Sequence, residues 1–308
     1  MSALLEVVAP VFLVILAGAG AARAALLPET AIDALARFAQ SVAIPCLLFR
    51  AVSTIDLGAS FDPALLLSFY APAILCFALG ALGARALFRR DMEDAIAIGF
   101  CCLFSNSVLL GLPITERAFG PDALGPNYAI VALHAPVCYA LGIGAMEVAR
   151  AGLGAGAMRR IARRSFGNAL ILGIGAGLLV NATGLALPAV IGEAADLLGR
   201  AGLPTALFAL GGVLARYRPA GDLRVAGMVA GLSLLVHPAL TWASGLAANL
   251  AEGPFRSAVV TASMAPGVNA YLFAALYGRA TRVAAASVLI CTILSVITAS
   301  AWLSLLAP

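Results

Sequence analysis

Apolar residues in this chain gather into blocks separated by short polar gaps. The blocks cover about 3–22, 34–53, 64–88, 94–118, 127–149, 166–186, 189–214, 223–249, 255–277 and 281–306. Each is near the roughly 20 residues that a helix needs to cross a bilayer core. The pattern therefore predicts an all-α integral membrane protein with ten transmembrane helices. Two blocks depart from uniform apolarity. The fourth, "IGFCCLFSNSVLLGLPITERAFG", places Ser105, Asn106, Ser107, Gly111 and Pro113 near mid-membrane. The ninth, "VVTASMAPGVNAYLFAALYG", places Ser263, Pro266, Gly267, Val268 and Asn269 there. Proline removes a backbone donor and glycine lowers helix preference, so both blocks are expected to unwind at these points. In lipid an unwound turn persists only where its freed N–H and C=O groups find protein partners or line a cavity.

The two halves of the chain also repeat each other. "AIPCLLF" (43–49) aligns with "GLPTALF" (202–208), pairing Pro45 with Pro204. "FYAPAIL" (69–75) aligns with "LVHPALT" (235–241), pairing Pro72 with Pro238. Residues 1–149 then form a first five-helix repeat, 150–165 a short basic linker, and 166–308 the second repeat. An odd number of spans per repeat makes the second copy enter from the opposite face, so the repeats are inverted. The matched prolines read as hinge or scaffold positions. The broken fourth and ninth helices would cross at the midplane, with their half-helix N-termini facing a common volume. Such ends carry unsatisfied N–H donors and a positive dipole, which suits an anion. The side-chain amides of Asn106 and Asn269 add further donors. The alternative is that the prolines only kink packed helices and the asparagines bond between them.

Composition agrees with the blocks: 62% of residues are hydrophobic and 11% charged, and the mean hydropathy is +1.02. All 19 basic residues are arginine, and they segregate by loop. Loops after odd-numbered blocks hold most of them, whereas the opposite loops hold Arg50, Arg117 and Arg256. By the positive-inside rule the arginine-rich loops are cytoplasmic and both termini lie outside. The net charge of +4 then needs no nucleic-acid partner. The run "MRRIARR" (158–164) is a topology signal or a contact for anionic lipid. The six cysteines fall within the blocks without metal-ligand spacing and read as packing residues. With no lysine, no His-Glu-x-x-His and no Gly-x-Ser-x-Gly, the chain lacks the usual enzymatic motifs. No catalytic residue, metal or cofactor is expected.

The blocks that break carry no acidic or basic side chain at the break itself, where a sodium/proton antiporter is expected to place an aspartate. His134 and His237, each close to a proline within a block, are either proton relays or hydrogen-bonded packing residues. Three functional readings follow. One is facilitated, potential-driven efflux of an organic anion. The second is proton- or sodium-coupled carboxylate symport. The third is a membrane sensor that binds without transport.

The motif "SNSVLLGLPITERAFG", with its Asn-x4-Gly-x-Pro spacing, and "MAPGVNAYLFAALYG" resemble the fourth and ninth spans of the auxin efflux carrier family. That family includes plant PIN-FORMED exporters and bacterial malate and malonate permeases. The similarity runs across all ten blocks. It implies the fold of bile-acid symporters and sodium/proton antiporters, with scaffold and transport domains each drawn from both repeats and an elevator-type movement. It further implies a homodimer, a bacterial-type inner membrane location, and a small carboxylate held near Asn106, Pro113 and Pro266–Asn269. The long hydrophilic insertion of the plant exporters is absent, since the linker here is minimal.

Overall fold

The computed structural model describes residues 2–55, 58, 61–151, 169–217 and 222–306. Beyond Ala151 the expected linker lies outside the described residues, as do the basic run 158–164 and Arg218. Every named element among the described residues is helical. In chain order they are α1 Ser2–Arg23, α2 Glu29–Phe38, α3 Ile44–Thr54, α4 Pro63–Ala86 and α5 Met92–Leu103. Next come α6 Leu112–Phe119, α7 Leu124–Ala151, α8 Ala169–Thr183 and α9 Ala189–Leu214. The last are α10 Leu223–Gly231, α11 His237–Ala247, α12 Glu252–Ala262, α13 Val268–Tyr277 and α14 Thr281–Leu306. Among the described residues, six helical stretches are long and apolar enough to cross a membrane.

Three prolines follow a wide π turn by two residues. Ala39–Ala43 precedes Pro45, Ser107–Gly111 precedes Pro113, and Leu232–Val236 precedes Pro238. Proline cannot donate to the helical ladder and its ring crowds the carbonyl four residues back. One extra residue in the turn relieves that crowding, and the helix then continues. Pro72 and Pro204 instead sit inside unbroken helices.

The chain divides into two compact units. One comprises Pro10–Phe61 and Ala162–Arg216. Its helices approach backbone to backbone through small residues. A Cβ on Gly173 would lie 2.5 Å from the Pro45 carbonyl oxygen, and one on Gly211 would lie 1.8 Å from that of Ile15. Across the same unit Arg50 grips Asp196 with two hydrogen bonds of 2.9 and 3.2 Å. The Asn181 amide caps the end of α3 by donating to the carbonyls of Val52 and Ile55.

The other unit comprises Met1–Ala9, Asp62–Ile161 and Tyr217–Pro308. Leu65, Phe69, Tyr70, Ile130, Ala258 and Ala262 form a buried cluster within it. Close packing of α4 on α5 is set by Gly99, where a Cβ would lie 2.6 Å from the Phe77 carbonyl oxygen. Both departures from uniform apolarity, and both histidines, belong to this unit.

Candidate functional site

The first departure is a true helix break. After Leu103 the chain leaves α-geometry at Phe104 (φ −90°, ψ 86°) and again at Asn106 (φ −79°, ψ 61°). Each forms a tight three-residue turn, closed by Ser105 N–H on the Leu103 carbonyl and Ser107 N–H on that of Ser105. The second break runs from Ser263 to Gly267, where the backbone is extended (φ −73°, ψ 161°) before α13 begins.

The two breaks pair with each other. Asn106 N–H donates to the Ala265 carbonyl at 2.8 Å and Gly267 N–H to the Phe104 carbonyl at 2.9 Å. Between these bonds Ser105 and Pro266 face each other as one antiparallel bridge. They occupy the position of a ladder pair from which no backbone bond is required. Proline fits there because its missing N–H is not called upon. Each break thus supplies one donor and one acceptor to the other's freed backbone.

Polar groups converge around the bridge. Asn106, 6% exposed, caps the following turn by accepting from Leu109 N–H at 3.2 Å. Its backbone carbonyl accepts from Leu110 and Gly111. Ser107 is buried beside it, while the buried Ser105 hydroxyl has no partner among the described residues. The Val108 amide enters none of the turn or cap bonds that engage its neighbours. On the second break the first amides of α13, those of Val268 and Asn269, likewise have no acceptor among the described residues. Asn269 is half-buried. Unengaged N–H donors at two helix starts are an arrangement for negative charge.

The sequence pattern described as "Membrane transport protein" matches residues 3–155 and 157–303. The chain belongs to this family. A Rhizobium meliloti (strain 1021) protein named "Putative malonate transporter" is 29% identical over 315 aligned residues. The match covers 99% of this chain and 97% of that protein. The resemblance to auxin efflux carriers and malonate-type permeases is therefore borne out across the chain. As a family member the protein is an integral membrane transporter and not an enzyme.

Within this transport protein the expected site residues occupy different roles. Ser105, Asn106, Ser107, Pro266 and Gly267 build the paired breaks, and Val268 and Asn269 open α13. Gly111 closes the π turn, where a Cβ would meet Met264 at 3.8 Å and Thr261 at 3.9 Å. Pro113 starts α6. Pro72 and Pro238 share the unit that holds the breaks, whereas Pro45 and Pro204 belong to the other. His134 reaches the site: its Nε2 lies 3.1 Å from the Ser105 carbonyl oxygen. His237 packs on the Phe69 ring at 5.3 Å between centroids.

Two ties around the breaks were not expected from sequence. On one side the Asn127 amide donates to Thr261 Oγ1 at 2.8 Å and to Thr115 Oγ1 at 3.2 Å, joining α6, α7 and α12. On the other, Phe100 of α5 stacks on Phe273 of α13 with centroids 3.9 Å apart. At the far ends of that pair Glu93 accepts from Arg279 at 2.9 Å and from Arg150 at 2.8 Å, and Asp94 caps Ala280 N–H at 3.1 Å. These donors hold the Glu93 carboxyl below the usual carboxylate range, Arg279 having the larger effect. Mid-block hydroxyls in both broken helices were the only trace of the first tie in the sequence.

Proposed function

We propose that the protein transports small organic carboxylates, with the substrate held against the paired breaks. The observation that carries this reading is the pairing itself, which brings two helix starts and the Asn106 amide to one place. Their free donors are pre-set for an anion at no further ordering cost. The relative's printed name points to malonate, a dicarboxylate that two sets of donors suit. The breaks are then the crossover of the fourth and ninth of ten transmembrane helices arranged as two inverted repeats. The unit that contains them is the transport body and the other unit the scaffold of an elevator, in a homodimer formed through scaffold helices. Both termini face outward and the arginine-rich loops face the cytoplasm of a bacterial-type inner membrane.

Efflux is the direction favoured by an inside-negative potential, which is worth about 2.3 kcal/mol per negative charge per 100 mV. Reconstituted proteoliposomes on a solid-supported membrane, challenged with malonate, malate, succinate and indole-3-acetate, test the reading. A saturable current for the dicarboxylates that is lost in Asn106→Ala is expected. Wild-type protein that neither binds nor moves any of the four would refute it.

A further inference from the structure

Among the described residues one histidine lies within hydrogen-bond range of the breaks. His134 of α7 is 2% exposed, and its Nε2 lies 3.1 Å from the Ser105 carbonyl oxygen. A carbonyl only accepts, so Nε2 carries the hydrogen and Nδ1 keeps its lone pair. Cys138 Sγ lies 3.8 Å from Nδ1 and 3.9 Å from Nε2, a weak partner to either. The ring is held edge-on by Phe104 at 4.7 Å and Phe69 at 5.8 Å between centroids. Its orientation toward Ser105 is therefore fixed by packing, and its second nitrogen is available for a proton.

The titratable groups facing that ring are a thiol, a phenol and a second imidazole. Cys138 lies on its own helix. Tyr70 of α4, 6.2 Å away between centroids, has its hydroxyl committed to the Ile130 carbonyl at 2.6 Å. His237 of α11 packs on the same Phe69 ring from its own helix. None of these is a carboxylate. An imidazolium here, buried and without a counter-charge, is costly to form. An anion at the paired breaks supplies the missing charge, since the Ser105 that His134 contacts is half of the bridge.

We propose that His134 takes up a proton when the carboxylate binds and gives it up when the substrate leaves, so that one proton travels with each anion. This rests on the carboxylate site proposed above. Proton uptake and anion binding favour each other by the same factor, as linkage requires. The proton adds to Nδ1 with no other bond made or broken, and a dianion still leaves one net negative charge to move. His237 Nε2 and Thr241 Oγ1, four residues apart on α11, are both buried without a partner among the described residues.

The test uses the variant His134→Gln, whose side-chain amide keeps a donor for the Ser105 carbonyl and cannot hold the proton. Calorimetry of malonate binding in two buffers of different ionisation enthalpy should show about one proton taken up per malonate in the wild type and none in the variant. In proteoliposomes clamped at zero potential, an acid-outside gradient of about one pH unit should sustain about tenfold malonate accumulation in the wild type. The variant should equilibrate malonate without accumulating it. Wild-type binding without proton uptake overturns the proposal whether or not the variant folds, as does full proton uptake in the variant. Failure of wild-type protein to bind malonate at any pH removes the carboxylate site itself, which separates the two outcomes.

Discussion

Replacing Asn106 by aspartate separates its two duties. The Asn106 Oδ1 atom caps Leu109 N–H at 3.2 Å, and the other side-chain atom is an amide donor in a site with 6% residue exposure. Asn106→Asp keeps the capping oxygen and places a carboxylate at a helix start, where the dipole favours it by about 0.3–1 kcal/mol but burial without a counter-charge opposes it by several kcal/mol, on the order of the cost of any unpaired buried ion. The same charge opposes a bound carboxylate. At about 4 Å and an effective dielectric constant near 20 the repulsion is about 4 kcal/mol, or about three orders of magnitude in affinity. Asn106→Ala behaves differently: it loses the cap, at about 0.5–2 kcal/mol of stability. It also forfeits one hydrogen bond to a charged ligand, about 1.5–3 kcal/mol of affinity. Both variants should therefore be less stable than wild type, while malonate affinity should rank wild type, then alanine, then aspartate. Differential scanning fluorimetry and isothermal titration calorimetry on detergent-purified protein measure both orders. Wild-type malonate affinity in Asn106→Asp would refute the assignment of negative charge to this site.

Three further outcomes follow from the packing and the surface ion pairs. Gly142→Ala places a Cβ 2.4 Å from Phe100 Cδ2 and 3.0 Å from Phe273 Cε2. Since both rings are fully buried, a loss of about 1–3 kcal/mol is expected, read as a lower melting temperature that Phe100→Leu partly restores. Gly211→Ala sets a Cβ 1.8 Å from the Ile15 carbonyl oxygen, which is backbone and cannot swing aside; expression and size-exclusion profiles should show loss of folded protein. The Glu93 carboxyl, depressed by Arg279 and Arg150, contributes stability that is complete above the ordinary glutamate value near 4.5 and lost as the pH falls through its lower folded value. Glu93→Gln should flatten that acid limb in a melting-temperature profile against pH, and an unchanged limb would count against the pairing.

Element positions were legible wherever apolar blocks end at charged or turn residues. The blocks at 189–214 and 281–306 coincide with α9 and α14. Helix interruption was legible too, because proline and glycine act on the backbone locally and the Ser-Asn-Ser and Ala-Pro-Gly clusters mark the points where α-geometry stops. Partner choice was not. That Asn106 N–H would meet the Ala265 carbonyl is a relation across 159 residues to which no side chain contributes. Thr115, Asn127 and Thr261 look in isolation like small polar residues of the kind any membrane helix tolerates; only their convergence makes them a tie. The π turns were hidden for the opposite reason. Pro45, Pro113 and Pro238 follow one, whereas Pro72 and Pro204 do not, so the residue alone does not reveal how the ladder accommodates it.

The bridge between Ser105 and Pro266 also constrains how this protein can change over generations. Each loop supplies one donor and one acceptor to the other, so inserting or deleting a residue in either shifts the register of both. A lineage can exchange the side chains at the bridge one at a time, but it can alter loop length only by matched events in two distant stretches of its gene. Engineering for new substrates meets the same barrier. Libraries that vary side-chain chemistry at fixed length should yield working variants, while those that resize a single loop should yield almost none.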